Sequence, residues 1–124
     1  MHGRDSRSRL LAISVGDAVG YSRLMSLDDQ ATLAALEAAR AAFAKQIVAH
    51  GGHVVDTSGD SILAAFDTAG GAVNAALSVQ RDLALSAVGI PEESQMRFRI
   101  GVHLGDVIEK ADGGVYGDGV NVAA

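Results

Sequence analysis

Val54-Val55-Asp56-Thr57-Ser58-Gly59-Asp60-Ser61-Ile62-Leu63-Ala64-Ala65-Phe66 decides how this chain folds. Apolar residues flank a short polar turn that contains a glycine and an aspartate. Apolar, β-branched runs bounded by turn residues read as strands. The pattern predicts one strand over roughly Val54–Thr57 and another over Ile62–Phe66, joined directly through Ser58-Gly59-Asp60-Ser61.

Working outward, the sequence supplies one helix and one strand on each side. Ser26-Leu27-Asp28-Asp29 resembles a capping box and starts a helix. Leu33, Leu36, Ala39, Phe43 and Ile47 follow at helical spacing, and Gly51-Gly52 ends it. Before that helix, Leu10-Leu11-Ala12-Ile13-Ser14-Val15 reads as a buried strand ending at Gly16-Asp17. After the central pair, Thr68 caps a second helix running to about Ala87, with Val73, Ala76, Leu77 and Leu83 expected inward. Met96, Phe98, Ile100, Val102 and Leu104 then alternate with Arg97, Arg99, Gly101 and His103, the period of a strand with one buried face. Gly105-Asp106 is expected to turn the chain into a fifth strand, Val107–Lys110, followed by a loop over Ala111–Gly114.

The order is β-α-β-β-α-β with an added hairpin strand. That is the ferredoxin-like arrangement, an α+β fold with helices covering an antiparallel sheet. In it the first strand lies beside the third, so Asp17 and Asp60 fall on neighbouring strands about 5 Å apart. Two carboxylates on two strand ends can hold divalent metal, and the amides of the Gly-containing turn after Asp17 can hold phosphate. Those are the parts needed for phosphoryl chemistry on a nucleotide.

Composition narrows the alternatives. The 124 residues suggest one domain, 48% hydrophobic and 20% charged, with few aromatics. Residues 1–9 read as a polar N-terminal tail carrying Arg4, Arg7 and Arg9, and residues 10–124 as the domain. A net charge of −5 argues against a sequence-independent nucleic-acid surface. There is no cysteine, hence no disulfide framework or thiolate metal site. His50 and His53 lack a carboxylate or cysteine at ligand spacing, and His103 reads as an outward strand residue. No segment has the unbroken apolar length of a membrane span, and the N-terminus lacks a signal peptide's apolar stretch. The expectation is a cytoplasmic domain without membrane contact from this segment.

Four segments carry a resemblance. They are Asp17-Ala18-Val19-Gly20-Tyr21-Ser22-Arg23-Leu24-Met25, His50-Gly51-Gly52-His53-Val54-Val55-Asp56-Thr57-Ser58-Gly59-Asp60, Arg99-Ile100-Gly101-Val102-His103-Leu104-Gly105-Asp106-Val107, and Val115-Tyr116-Gly117-Asp118-Gly119-Val120-Asn121-Val122-Ala123-Ala124. In this order and spacing the chain, from about Leu10 onward, resembles the class III nucleotidyl cyclase catalytic domain of bacterial adenylate/guanylate cyclases.

The resemblance implies roles by position. Asp17 and Asp60 match the two metal aspartates for Mg²⁺ or Mn²⁺, and the carbonyl of Ala18 matches a further ligand. Gly20, Tyr21 and Ser22 match the turn whose amides contact the triphosphate. Asn121 matches the asparagine that positions the ribose or transition state. The implied reaction is attack of the ribose 3′-oxygen on the α-phosphate of ATP or GTP, releasing pyrophosphate, in a homodimer with shared active sites. Asp56 and Gly114 stand where the family's adenine-reading lysine and aspartate stand. A carboxylate at Asp56 suits guanine, whereas the bacterial character of the motifs leans towards ATP and cAMP. The family's transition-state arginine would follow Ala124, so the chain reads as a C-terminally incomplete domain, expected to be inactive alone. The rival reading is a cyclase-like module that dimerises or binds nucleotide without turnover. A diguanylate cyclase of related topology fits less well, because Ser58-Gly59-Asp60-Ser61 lacks that family's Gly-Gly-acidic-acidic hairpin.

Overall fold

The computed structural model describes residues 6–111 and 114–117. In chain order the elements are β1 (Ser6–Ala18), α1 (Tyr21–Leu27), α2 (Asp29–Ala49), β2 (Gly52–Ser58), β3 (Ser61–Phe66), α3 (Ala69–Ser86), β4 (Phe98–Lys110) and β5 (Val115–Tyr116). A short 3₁₀ turn, Glu92–Ser94, precedes β4. The strands form one sheet in the order β2-β3-β1-β4-β5, with every pairing antiparallel. This is the expected ferredoxin-like order, extended at one edge by a hairpin strand.

Strand β1 organises the sheet because both of its faces are buried. Successive side chains point to opposite faces of a strand. Ala12 and Ala18 meet Leu36, Ala39, Phe43 and Ile47 of α2, and Ala72, Ala75 and Val79 of α3. Leu11 and Ile13, on the opposite face, pack with Ala65, Val107 and Val115. By the same alternation, Asp17 lies on the face turned away from α2 and α3.

The helices start where side chains satisfy their first amides. Asp28 accepts from the Ala31 amide at 3.0 Å and caps α2. Thr68 accepts from the Gly71 amide at 3.0 Å and caps α3. Helix α1 has no counterpart in the sequence expectation, and Ser26, expected to start the α2 capping box, lies inside α1 and donates to the Ser22 carbonyl at 3.0 Å, so the cap passes to Asp28. The expected inward residues Leu36, Ala39, Phe43 and Ile47 of α2 are buried, while the first turn of α2 and the stripe of α3 differ from expectation. On α2, Thr32 is buried while Leu33 is 48% exposed. On α3, Ala72, Ala75 and Val79 are buried, whereas Val73 and Leu77 are 46% and 58% exposed. On α3 small residues face the sheet and let the helix approach closely, and Val73 and Leu77 fall on the flank.

Two expected boundaries are corrected. Gly105-Asp106 is not a turn: β4 runs straight through it, with Leu11 opposite Gly105 and Leu10 opposite Asp106. The hairpin strand is therefore Val115–Tyr116, not Val107–Lys110. The cause lies in the presumed tail. Residues from Ser6 onward continue β1 and pair up to Ser6–Lys110, so a long ladder overrides the turn tendency of Gly-Asp. Arg9 is consequently fixed. It bonds Glu109 on β4 at 2.8 Å and Asp67 after β3 at 2.9 Å. The hydrogen bond and charge of Glu109, then the Asp67 bond, raise its pKa above the ordinary guanidinium value. The predicted buried face of β4 is also only partly realised. Phe98 is buried and Ile100 half-buried, but Leu104 is 47% exposed, beyond the reach of α3.

Phe43 sets the packing under the end of β1. Its ring stands edge-on to Phe98 with centroids 5.1 Å apart. A Cβ at Gly16 would lie 2.7 Å from the Phe43 ring, so only glycine lets that ring seat against β1. Gly16→Ala is expected to cost about 1–3 kcal/mol of stability through overpacking. Gly70→Ala, where a Cβ meets open space on α3, should cost nothing. Urea denaturation of the two variants checks both; equal midpoints would contradict the Phe43 argument.

Candidate functional site

The site begins at the tight loop between β2 and β3. Ser58 pairs with Ser61, leaving Gly59 and Asp60 as a two-residue connection. Gly59 has φ +57°, and no non-glycine residue has positive φ among those described. Positive φ at the first loop position alone is the II′ hairpin pattern, which matches strand twist. The loop therefore delivers Asp60 at a defined place.

Pairing of β3 with β1 brings Asp17 to it. Asp17 is in register with Ser61, and the Ala18 amide donates to the Asp60 carbonyl at 3.3 Å. Both aspartates are half-buried. Among the described residues neither carboxylate has an ion pair. On the other side of β1, Asp17 is in register with Arg99 of β4. Directly opposed residues share a face, with Cβ atoms about 5 Å apart. Arg99 is thus an exposed arginine on the same face as Asp17.

Beyond Ala18 the chain turns into α1. The Val19 amide donates to the Arg97 carbonyl at 2.8 Å. Gly20, at φ 66°, caps α1 without a side-chain hydrogen bond. The first-turn amides of a helix have no intrahelical acceptor. Here Tyr21 and Ser22 belong to that turn, at the end of the sheet that carries Asp17. The Tyr21 side chain packs against the helix-side core, leaving its backbone as the group it offers. Arg23 Nη1 donates to the Glu93 carbonyl at 2.8 Å and ties α1 to the loop before β4.

The structure thus gathers Asp17, Ala18, Gly20, Tyr21, Ser22 and Asp60 at one end of the sheet. Asp56 is further away. A register shift between Val54 and Asp56 places it opposite Leu63, which faces Val15. That is two strands and one pair step from Asp17, roughly 12 Å at ordinary sheet spacings. Asp56 is exposed. Gly114 is not part of the cluster within one chain. Its carbonyl accepts from the Lys110 amide at 2.8 Å, and Lys110 pairs with Ser6, at the opposite end of β1. The separation from Asp17 is roughly 35 Å along the strand. Asn121 lies outside the described residues.

Arg99 was missed as a site residue. Sequence alternation marked it only as outward-facing, and the β1–β4 register was the signal that would have found it. Arg40, considered below, gave no sequence signal at all.

Comparison with known proteins shows the family of this fold. The family described as "Adenylate and Guanylate cyclase catalytic domain" matches residues 6–124. The chain belongs to this family. The cyclase domain is 41% identical over 119 residues to "Putative adenylate cyclase 3" of Rhizobium meliloti (strain 1021), covering 95% of the chain and 20% of that protein. It is 34% identical over 117 residues to "Adenylate cyclase" of Streptomyces coelicolor (strain ATCC BAA-471 / A3(2) / M145), covering 94% of the chain and 29% of that protein. The chain therefore spans less than a third of these two relatives. The crystal structure of an adenylate/guanylate cyclase/hydrolase from Silicibacter pomeroyi superposes with a TM-score of 0.84 at 37% identity, covering 96% of this chain and 69% of that one. Among the described residues of the cyclase domain, no helix is long and apolar enough to cross a membrane.

Proposed function

We propose that this domain catalyses cyclisation of a purine nucleoside triphosphate to a cyclic nucleotide and pyrophosphate, in cytoplasmic signalling. The observation that supports the reading is the Asp17–Ser61 pairing, which brings Asp17 next to the turn that carries Asp60, beside a helix start without a side-chain cap.

The donor set fits Mg²⁺ or Mn²⁺. No group of three or more His, Cys, Asp or Glu residues is assembled among the described residues. Such ions are characteristically held by one or two carboxylates together with substrate phosphates, not by a full protein cage. Asp17 and Asp60, with the Ala18 carbonyl, would hold two ions. When bound, the metal lowers the pKa of the ribose 3′-hydroxyl and neutralises charge on the phosphates. The chain's own groups do the rest. The amides at Gly20, Tyr21 and Ser22 point donors at the triphosphate. Arg99, in register with Asp17, is the cation on the same face that could meet the same oxygens. Asp56, on an exposed bulged strand, offers acceptors to guanine N1 and N2, while the adenylate cyclase names of the two curated relatives favour ATP.

Chain reach supports a shared site in a homodimer. Tyr116 pairs with Ile108, which faces Ser8 of β1. That lies about 30 Å along the strand from Asp17. From Tyr116, Asn121 can extend at most about 18 Å. Asn121 of one chain therefore falls short of its own Asp17 carboxylate. A two-fold axis placing Asn121, and Gly114 with it, against the metal aspartates and Asp56 of a second copy resolves the shortfall.

In the full-length protein, Asp17→Ala and Asp60→Ala are each expected to lower cyclic-nucleotide formation by about 100-fold or more, since each removes a charged ligand from a hard cation. Near-normal turnover in either variant would refute the metal assignment. Nucleotide binding without any turnover in the unaltered protein would favour a non-catalytic module.

ATP and GTP offered together at equal concentration should yield mainly cAMP. A strong preference for GTP that Asp56→Lys abolishes would reverse this choice and make Asp56 the base reader.

Mixing full-length Asp17→Ala with full-length Asn121→Ala should restore activity. The heterodimer contains one site with both lesions and one with neither. Confirmed subunit exchange without recovery would rule out the shared site.

A further inference from the structure

We infer that Arg40, on α2, is a positioning residue for Asp60: it holds the metal-bearing turn from the helix layer. The inference rests on the proposed metal role of Asp60.

Arg40 lies between buried Ala39 and half-buried Ala42, with Phe43 one turn further on. Its Nη1 bonds Glu37 Oε1 at 3.0 Å, one turn back on the same helix. Its Nη2 donates to the Gly59 carbonyl. Its Nε is buried with no hydrogen-bond partner. Leaving a buried donor unmade is unfavourable, and an exposed arginine would ordinarily relieve it by swinging into water. The side chain stays because both terminal nitrogens are engaged.

The turn has little else to hold it. Among the described residues a Cβ at Gly59 would meet nothing within 4 Å, so this side of the loop is open. Glycine is also the residue with the widest backbone freedom. Among the described residues, two hydrogen bonds from outside the hairpin restrain the loop. The Ala18 amide bonds the Asp60 carbonyl from the β1 side, and Arg40 bonds the Gly59 carbonyl from the helix side. Together they fix the two peptide units on either side of the Asp60 Cα. A ligand carboxylate needs such support to hold its geometry within about 0.5 Å. The contact runs to a backbone carbonyl, so Arg40 acts through the turn and touches neither metal nor substrate.

The planar fork matters. Glu37 and Gly59 are engaged by different terminal nitrogens of one guanidinium, and an ammonium is a point donor on a more flexible stem. Arg40→Lys should keep the charge and part of the bond to Gly59, whereas Arg40→Met keeps the apolar stem alone.

The test measures Mn²⁺ affinity in the full-length protein by electron paramagnetic resonance. The unreactive analogue 3′-deoxy-ATP is present, with analogue alone as the blank. Thermal unfolding is followed in parallel. Arg40→Met should weaken Mn²⁺ binding by about 10-fold, the scale on which groups supporting metal ligands act. Arg40→Lys should lose less, and excess Mn²⁺ should recover most of the turnover of both. Unchanged Mn²⁺ affinity in Arg40→Met, with or without a lower melting temperature, overturns the proposal. If Arg40→Met does not fold, Arg40→Lys decides: affinity equal to the unaltered protein overturns it, and a several-fold loss supports it. Asp60→Ala runs alongside. If it too leaves Mn²⁺ binding unchanged, the metal reading itself fails and the Arg40 proposal falls with it. If it abolishes binding while Arg40 variants bind normally, only the Arg40 proposal fails.

Discussion

The antiparallel ladder between β1 and its two neighbours is the constraint on which the rest depends. Strand β1 is paired on both edges, by β3 over Ala12–Asp17 and by β4 over its whole length. It is also buried on both faces, and β3 on one side adds Ile62 and Ala64 to the helix-side core. A one-residue slip would exchange the two faces, turning Leu11 and Ile13 towards the helices and the small residues away. It would also break the Asp17–Ser61 register and separate the carboxylates. Hydrophobic burial and site geometry are thus specified by the same pairing.

Polar chemistry collects where this ladder ends. Ala18 is the last residue of β1, and its amide already bonds outside the ladder, to the Asp60 carbonyl. Gly16 admits the Phe43 ring on the helix side, and the next residue, Asp17, faces the other way. Tight packing beneath and a carboxylate above are therefore one feature of the strand. Fixed position is what a pair of metal ligands requires, because hard cations are held by a few oxygens at defined distances. Arg40 and the Arg23–Glu93 contact are polar supports of this end, each joining a different element to it.

The opposite end of the sheet is built for reach. The long β1–β4 ladder carries the β4–β5 hairpin away from Asp17, and Arg9 pins it by bonding Glu109 and Asp67 across three parts of the chain. Exposed ion pairs contribute little stability. Backbone pairing with β4 holds Ser6–Arg9 as strand where composition alone suggested a polar tail.

The sequence by itself determined the element types, their order and the candidate chemistry. Local signals suffice for these: apolar runs, the Thr68 cap, and the glycine-containing turn at Ser58–Ser61 act over a few residues. Topology followed from order, and it placed Asp17 beside Asp60 before any coordinate was known. Local signals failed where two patterns competed. Gly105-Asp106 has turn composition, yet ladder partners Leu11 and Leu10 keep it extended. Val73 and Leu77 have helical spacing, yet the smaller Ala72 and Ala75 take the inner face. Only the tertiary structure decided that Arg99 faces Asp17, that Arg40 reaches Gly59, and that Gly114 stands far from Asp56 in one chain. Each depends on the register or approach of elements distant in sequence, and no local pattern encodes that distance.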